Sequence, residues 1–325
     1  MAPPTGTGST FGSGSPARSP GASGACACHP MSVQSGIPEM SETSELGGRN
    51  YMSVDISVII PTFRRPRQLA QALASVLGQI GVTLDVFVVD DCPDGSAREV
   101  VEQLQDPRIT YLRNRTPSRG VPSIVRNLGW PHAGAAYIHF LDDDDIVPEG
   151  HYAAVKAAFE SHPRVGLVFG RIEPFGDCPE EQLQQERCYF AEAARHAKRS
   201  ARFGRRFGFT GSMLFGSALL ICSGGIVRRE CVVRLGGFDP HVRLMEDAEF
   251  YCRVMRSYGA LFLDRVSIHY RIGSPSLMHS PNPSAEQRRQ EREGHRLMWT
   301  NYRRDYGIFE FFALALLTRA LLTLL

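Results

Sequence analysis

The 325-residue chain lacks any surplus of charge: 36 Lys and Arg against 34 Asp and Glu leave a formal net charge of +2. A nucleic-acid binder would carry a strongly basic face or stripe, so that class is excluded. Also missing is an uninterrupted run of the roughly 20 apolar residues that a membrane-spanning helix needs. The most apolar stretch, 309–325, is shorter and contains Glu310 and Arg319. It fits an interfacial helix, a partner-binding helix, the start of a span, or a cap on the core. Metal-thiolate spacing is absent as well. The eight cysteines are scattered, and Cys26 with Cys28 has no second Cys or His pair to complete a zinc pattern. The N-terminus does not show the basic-then-apolar order of a signal peptide. A cytoplasmic protein with reduced thiols is therefore expected, with the inner face of a membrane as a further location. Residues 1–50 are dominated by Gly, Ser, Pro, Thr and Ala and have almost no large apolar side chains. Burial cannot offset the entropy of ordering such a segment, and it is expected to be a disordered tail.

What is present begins near residue 56. Hydrophobic residues make up 43% of the chain and charged residues 22%, an ordinary globular balance. Strands are predicted at 56–60, stopped by Pro61, then at 84–89, 109–112, 137–141 and 165–169. Between them, apolar residues recur at helical spacing: Leu69, Leu73, Val76 and Leu77 after Pro66, then Val100, Val101 and Leu104, then 123–128 and 150–161. Strands alternating with helices predict βαβ units and a mostly parallel α/β sheet. Two of these strands end in acids, Asp90-Asp91 and Asp142-Asp143-Asp144-Asp145. In a parallel sheet both clusters emerge at one edge, the carboxyl edge where open α/β folds bind ligands. Four adjacent carboxylates repel one another. A hard divalent cation such as Mg²⁺ or Mn²⁺, which prefers oxygen ligands, is their simplest neutraliser. The competing reading, a solvated acidic loop, is the weaker one at the tip of a buried strand.

After Gly170 the pattern changes. Residues 176–210 are polar and predict a helical insertion over the cleft. Ser223-Gly224-Gly225 precedes a short strand at 226–227 and a helix at 228–235. Gly236-Gly237-Phe238-Asp239 reads as a turn, and Glu246-Asp247 opens another helix. Two closing strands are expected at 260–263 and 266–270, followed by a Ser/Pro-rich candidate lid at 271–284. The expected organisation is a tail (1–50), a half carrying both strand-end acid clusters (51–170), a second half (171–272), a lid and helical region (273–307), and the apolar helix (308–325).

Across residues 55–272 the chain resembles glycosyltransferase family 2, nucleotide-sugar transferases of the GT-A fold. The resemblance rests on Ser57-Val58-Ile59-Ile60-Pro61-Thr62, Val88-Val89-Asp90-Asp91, Arg126-Asn127-Leu128-Gly129, Phe140-Leu141-Asp142 through Asp145, Gly236-Gly237-Phe238-Asp239 and Glu246-Asp247, in the family's order. It implies a GT-A (Rossmann-like) catalytic domain. Pro61 and Thr62 would shape the nucleotide pocket. Asp91 would accept a hydrogen bond from the base, usually uracil, which offers an N–H donor. Arg65 and Arg126 match basic positions near the nucleotide, although either could be a surface charge. Asp142 and Asp143 would contact the donor, and Asp144 with Asp142 would hold Mn²⁺ or Mg²⁺, with Asp145 able to share that task. The metal would stabilise the departing diphosphate. Asp247 would be the general base in an inverting transfer, and its other reading is a helix-capping acid. The implied partners are a UDP-sugar donor and a glycan, lipid-linked or small-molecule acceptor, with peripheral membrane association through 308–325 and no nucleic acid.

Departures matter too. Cys92-Pro93-Asp94 stands where many members have Gly-Ser, so the base-side loop is expected to differ. The Gln-x-x-Arg-Trp pattern of processive synthases is absent, since Trp299 follows Leu297-Met298, and addition of a single sugar is expected. Two other classes compete: a nucleotide-sugar binder, which would need no base, and a nucleotidyltransferase. The latter would carry a Gly-rich basic loop where Thr62-Phe63-Arg64-Arg65-Pro66 stands. Acceptor specificity is expected in 171–225.

Overall fold

Alternation of apolar residues along each strand sends successive side chains to opposite faces of a sheet. Ile59 and Val89 pack into one core cluster while their neighbours Ile60 and Val88 pack into the other. The sheet is thus apolar on both sides, as helix-covered parallel strands require. The structure, a computed structural model, describes residues 54–216, 218–273 and 284–323. The expected tail at 1–50 and positions 274–283 of the expected lid lie outside the described residues.

In chain order the elements are β1 (Ile56–Thr62), α1 (Pro66–Leu77), β2 (Leu84–Asp90), α2 (Arg98–Leu104), β3 (Ile109–Arg113), α3 (Pro122–Gly129), β4 (Tyr137–Phe140), α4 (His151–Ser161) and β5 (Leu167–Gly176). There follow α5 (Glu180–Ala201), α6 (Phe207–Phe215), β6 (Gly225–Arg228), α7 (Arg229–Leu235), α8 (Glu246–Tyr258), β7 (Ala260–Ile272), α9 (Ala285–Tyr306) and α10 (Ile308–Thr323). The seven strands form one sheet in the order β3-β2-β1-β4-β6-β5-β7. Strands β3, β2, β1 and β4 are mutually parallel; β6 runs antiparallel to β4 and β5, and β7 is parallel to β5. This is the mostly parallel GT-A arrangement. Thr62 pairs with Asp90, and Ile59 with Phe140, so the acids after β2 and β4 leave the sheet at one edge on either side of β1.

Three boundaries differ from expectation, each for a local reason. Strand β1 continues through Pro61 to Thr62. Ile59 O faces β4, accepting from Leu141 N, and Thr62 O faces β2, accepting from Asp91 N. Alternation then turns Pro61 toward β4, whose pairing ends at Phe140, so the missing N–H breaks no ladder bond. Strand β5 outruns 165–169 because its partner β7 accompanies it as far as Ile272. The two closing strands are a single strand, β7, whose register slips between Gly170↔Leu263 and Arg171↔Val266. Gly170 permits the slip: a Cβ there would lie 2.6 Å from Arg265 O.

The polar stretch expected to form a helical insertion becomes α5, which packs on β5 and β7 through Phe190, Ala193 and Ala197. Helix α10 caps the α6–α8–α9 layer, burying Phe311 and Leu314. Glu310 takes Arg256 Nε and Tyr302 Oη, each at 2.6 Å. No helix among the described residues is long and apolar enough to cross a membrane.

Candidate active site

Helix α3 lies tight against the strands because Gly129 has no side chain: a Cβ would sit 2.5 Å from Ile59 Cγ2 and 2.9 Å from Val89 Cγ2. Arg126, one turn earlier on the same face, is thereby delivered to the strand ends. Its neighbour Asn127 clamps the turn that leads toward α8, donating from Nδ2 to Phe238 O at 2.8 Å and accepting from Phe238 N at 3.0 Å. That turn needs glycine at Gly237, which has φ +70° and would place a Cβ 2.6 Å from Asn127 Oδ1 and from Trp130 Nε1.

The end of β2 is closed by neutral donors. Asp90 accepts from Cys92 N and Ala97 N, both at 2.9 Å, and from Tyr111 Oη at 3.0 Å. Burial and the adjacent carboxylate push the Tyr111 phenol up to about 12, so it donates throughout the ordinary pH range. Asp91 accepts Asn114 Nδ2 at 2.7 Å, Ser118 N at 2.8 Å and Ser118 Oγ at 2.7 Å, which pins the loop before α3.

The end of β4 is held mainly by arginines. Asp142 Oδ1 takes Arg126 Nη2 at 2.6 Å, and its backbone N donates to Ser223 Oγ at 3.0 Å. Asp143, buried, accepts Thr62 Oγ1 at 2.7 Å and Arg65 Nη1 at 3.2 Å. The same Arg65 Nη1 reaches Asp144 Oδ2 at 2.5 Å. Asp145 is fully buried; Oδ1 accepts Arg271 N at 3.0 Å, whereas Oδ2 has no hydrogen-bond partner among the described residues. Ser223 and the Arg271 N–H oppose, without cancelling, the upward shift of the Asp145 carboxyl. Arg271 also donates from Nε to Asp144 O at 2.8 Å. Burial first, and the neighbouring acids second, lift the Asp143 carboxyl to about 7 and drive that of Asp145 well above the carboxylate range. Asp144 is raised by burial, with Arg65 opposing the rise.

Beneath the acids lies buried His139, whose Nδ1 is 2.8 Å from Tyr152 Oη and whose Nε2 is 2.9 Å from Ser223 O. A carbonyl only accepts, so Nε2 carries the proton and Nδ1 accepts from Tyr152. Burial lowers the ring to about 4 and keeps it neutral. It is a structural post.

The opposite wall is the start of α8. Met245, its N-cap, has φ +68°, a left-handed conformation that costs a non-glycine residue about 1–2 kcal/mol and clusters at functional sites. Glu246 Oε1 meets Arg126 Nη1 at 2.6 Å. Asp247, in the first turn, accepts Ala248 N on Oδ1 at 2.8 Å, while Oδ2 makes no hydrogen bond among the described residues; no side chain caps this helix. Burial raises both carboxyls, Glu246 to about 7, and Arg126 opposes the rise in each.

Does this acidic edge suit a divalent cation? No three His, Cys, Asp or Glu side chains among the described residues converge as a ready cage. Asp143 and Asp145 are turned into the protein, while the side chains of Asp142 and Asp144 remain 33% and 14% exposed. That suits a cation held by one or two carboxylates and completed by substrate phosphates, as Mg²⁺ commonly is. The buried Oδ2 of Asp145 is a further polar atom that no hydrogen bond among the described residues satisfies.

The structure thus gathers Thr62, Arg65, Asp142, Asp143 and Asp144 at one edge, with Pro61 and Asp91 beside them. Arg126 is buried between two acids rather than presented on a surface. Sequence reasoning missed Asn114, Ser118, Ser223, Arg271 and the pairing role of Glu246. None stands in a repeated or charged pattern, and only the spacing of Glu246 next to Asp247 hinted at its part.

The family model described as "Glycosyl transferase family 2" matches residues 57–225. An uncharacterized glycosyltransferase of Haemophilus influenzae is 24% identical over 205 residues, 62% of either chain. The GalNAc(5)-diNAcBac-PP-undecaprenol beta-1,3-glucosyltransferase of Campylobacter jejuni is 37% identical over 130 residues, 39% of this chain and 41% of its own. The minor teichoic acid biosynthesis protein GgaB of Bacillus subtilis is 36% identical over 112 residues, 33% of this chain and 12% of its own. The matched stretch therefore spans less than two thirds of each relative. Among solved structures, S. aureus TarS 1–349 in complex with UDP-GlcNAc superimposes with a TM-score of 0.50 at 16% identity, covering 80% of this chain and 78% of that one. This likeness is one of fold.

Proposed function

Since the chain belongs to glycosyl transferase family 2, whose model covers over half of it, we propose that it transfers one sugar from a nucleotide-diphosphate sugar, UDP-linked, to an acceptor hydroxyl with inversion. The observation that carries this reading is the juxtaposition of a partly open acidic strand end, Asp142 and Asp144, with the start of α8 at Asp247, through Arg126. In this reading Asp247 uses its uncommitted Oδ2 to take the acceptor's proton. The acceptor oxygen then forms its bond to the anomeric carbon as the bond from that carbon to the diphosphate breaks. Asp142 and Asp144 would hold Mn²⁺ or Mg²⁺, which supplies Lewis-acid stabilisation to the departing diphosphate. Pro61 and Thr62 would line the nucleotide side, and Arg65 would reach the donor, with the buried Asp143 serving it from behind by holding Thr62 and Arg65. An ionised carboxylate offers about four acceptor positions. Three on Asp91 are taken, so one is left for a base N–H. The UDP-GlcNAc complex of TarS supports a UDP donor.

The acceptor class we propose is a glycan or lipid-linked glycan, supported by the names of the Campylobacter and Bacillus relatives. Residues 51–170 would serve the donor and 171–272 the acceptor and base. Helix α10 turns Phe309, 89% exposed, with Phe312 and Leu316 away from the core. Exposed Phe207 adjoins this helix, since Arg256 stacks on its ring while pairing with Glu310. Arg202, Arg205 and Arg206 lie just before it. Such an apolar surface beside basic residues suits an anionic membrane, in keeping with peripheral association at the inner face of a membrane.

The test is a panel of UDP-, GDP- and dTDP-sugars with and without Mn²⁺, read by thermal unfolding, then by the anomeric configuration of the product. A ligand at a hundred times its Kd adds about 2.7 kcal/mol of stability. Stabilisation by UDP-sugars that requires the metal is expected. Equal response to all donors, or none to any, would overturn the reading.

A further inference from the structure

The geometry points to Arg126 as a positioning residue that joins the donor end of the site to the helix bearing the base, so that Asp142 and the start of α8 are held in one bridged unit. This rests on the transferase reading above. Arg126 is 3% exposed, and its two terminal nitrogens each make a single 2.6 Å bond, one to Asp142 and one to Glu246. Asp142 and Glu246 come from opposite walls of the site, and Arg126 bonds to both. Its Nε has no partner among the described residues, so the guanidinium is not placed to maximise its own hydrogen bonding. It is placed to span.

The surroundings make the span stiff. Gly129 presses α3 onto β1 and β2, and Asn127 ties α3 to the backbone of Phe238. The Phe238 ring lies 5.4 Å from the Arg126 guanidinium carbon. Three residues within one turn of α3 therefore fix the sheet, the turn leading to α8, and the two acids. A lysine could supply the charge but not two divergent donors in a fixed plane.

The bridge has an electrostatic consequence. A base that removes a proton must be ionised, and burial disfavours the ionised form of Asp247. Arg126 is the strongest opposing influence on that carboxyl. The other charged or titratable groups around it are Asp142 after β4, Glu246 and Tyr251 on its own helix, and Cys222 before β6. On α9, whose Gly294 abuts Leu244 and Met245, Glu293 and His295 flank the contact. Helix α6 carries none.

The experiment measures kcat, KM for the UDP-sugar and the pH profile of kcat in the full chain and in Arg126→Met, Arg126→Lys and Glu246→Gln, with thermal unfolding alongside. In Arg126→Met the acidic limb should move up by about 1–3 pH units, the range an opposite charge controls. Arg126→Lys should fall between it and the native chain. Glu246→Gln should lower kcat while leaving UDP affinity within about twofold, a split that a general loss of packing does not produce. If Arg126→Met does not fold, Glu246→Gln decides: an unchanged kcat and profile there overturns the inference. Asp247→Asn runs in parallel. Full activity in Asp247→Asn removes the transferase reading itself, whereas an inactive Asp247→Asn with an unshifted profile in folded Arg126 variants removes the positioning role alone.

Discussion

Two strands of one sheet end in acids at one edge, and they are finished in opposite ways. At β2, the carboxylates of Asp90 and Asp91 accept six hydrogen bonds, all from neutral donors: backbone N–H groups, Tyr111, Asn114 and Ser118. At β4, the side chains of Arg65 and Arg126 hold Asp142, Asp143 and Asp144, the backbone N–H of Arg271 reaches Asp145, and one buried oxygen of Asp145 has no partner among the described residues. Neutral bonds of that kind build loops and persist whether or not a ligand is present. Carboxylates crowded in a low-dielectric edge and balanced by long side chains hold charge that a cation and a diphosphate can rearrange. The same residue type at the same sheet edge is therefore closed by neutral donors in one case and largely by charged side chains in the other.

The largest effect that would sharpen this contrast is at Asp247, across from β4. Asp247→Asn keeps the side chain's size and its acceptor for Ala248 N but removes the base, so kcat should fall about 100- to 10,000-fold. Donor affinity measured by calorimetry should hardly change; a native rate would remove Asp247 as the base. Next is Asp144→Asn, which should weaken metal-dependent UDP-sugar binding by about a hundredfold, the several kcal/mol a metal contributes. Titrating Mn²⁺ checks it, and an unaltered metal requirement would move the ligand role to Asp142.

The β2 end should answer in stability instead. Asp90→Ala strands two buried backbone donors and the Tyr111 hydroxyl, costing about 2–4 kcal/mol in urea unfolding. A fully stable variant with lost donor binding would break the comparison. Asp91→Asn should cost only about 1 kcal/mol, since one acceptor oxygen survives, with a modest loss of preference for uracil over other bases. The smallest expected effect on folding is on α10. Phe309→Ser with Phe312→Ser should change stability by no more than about 0.5 kcal/mol, yet reduce sedimentation with anionic vesicles relative to neutral ones. Unchanged sedimentation would detach α10 from the membrane reading, and a shift from dimer to monomer would show that a second copy covers this face.

Much of this was determined by sequence alone. Continuous apolar runs ending in Asp90-Asp91 and in four aspartates, alternating with helical spacing, point to the strands, their parallel direction and the shared edge, because such patterns depend on local backbone geometry. Pro66 and the Gly236-Gly237 pair mark a helix start and a turn for the same reason. Which acid does what was decided by tertiary structure. Asp91 and Asp143 read alike as strand-end acids, but one is closed by Asn114 and Ser118 and the other by Thr62 and Arg65, partners that are distant in the chain. Arg126 reads as a basic residue near a ligand and becomes a buried bridge, because Glu246, 120 residues away, arrives beside it only when α8 docks. Likewise α10 is apolar almost all round in sequence, and only packing on α6 and α9 decides which of its faces is core and which is left outside. Pairings at long separation leave no local pattern, since their energy comes from the surroundings that burial creates.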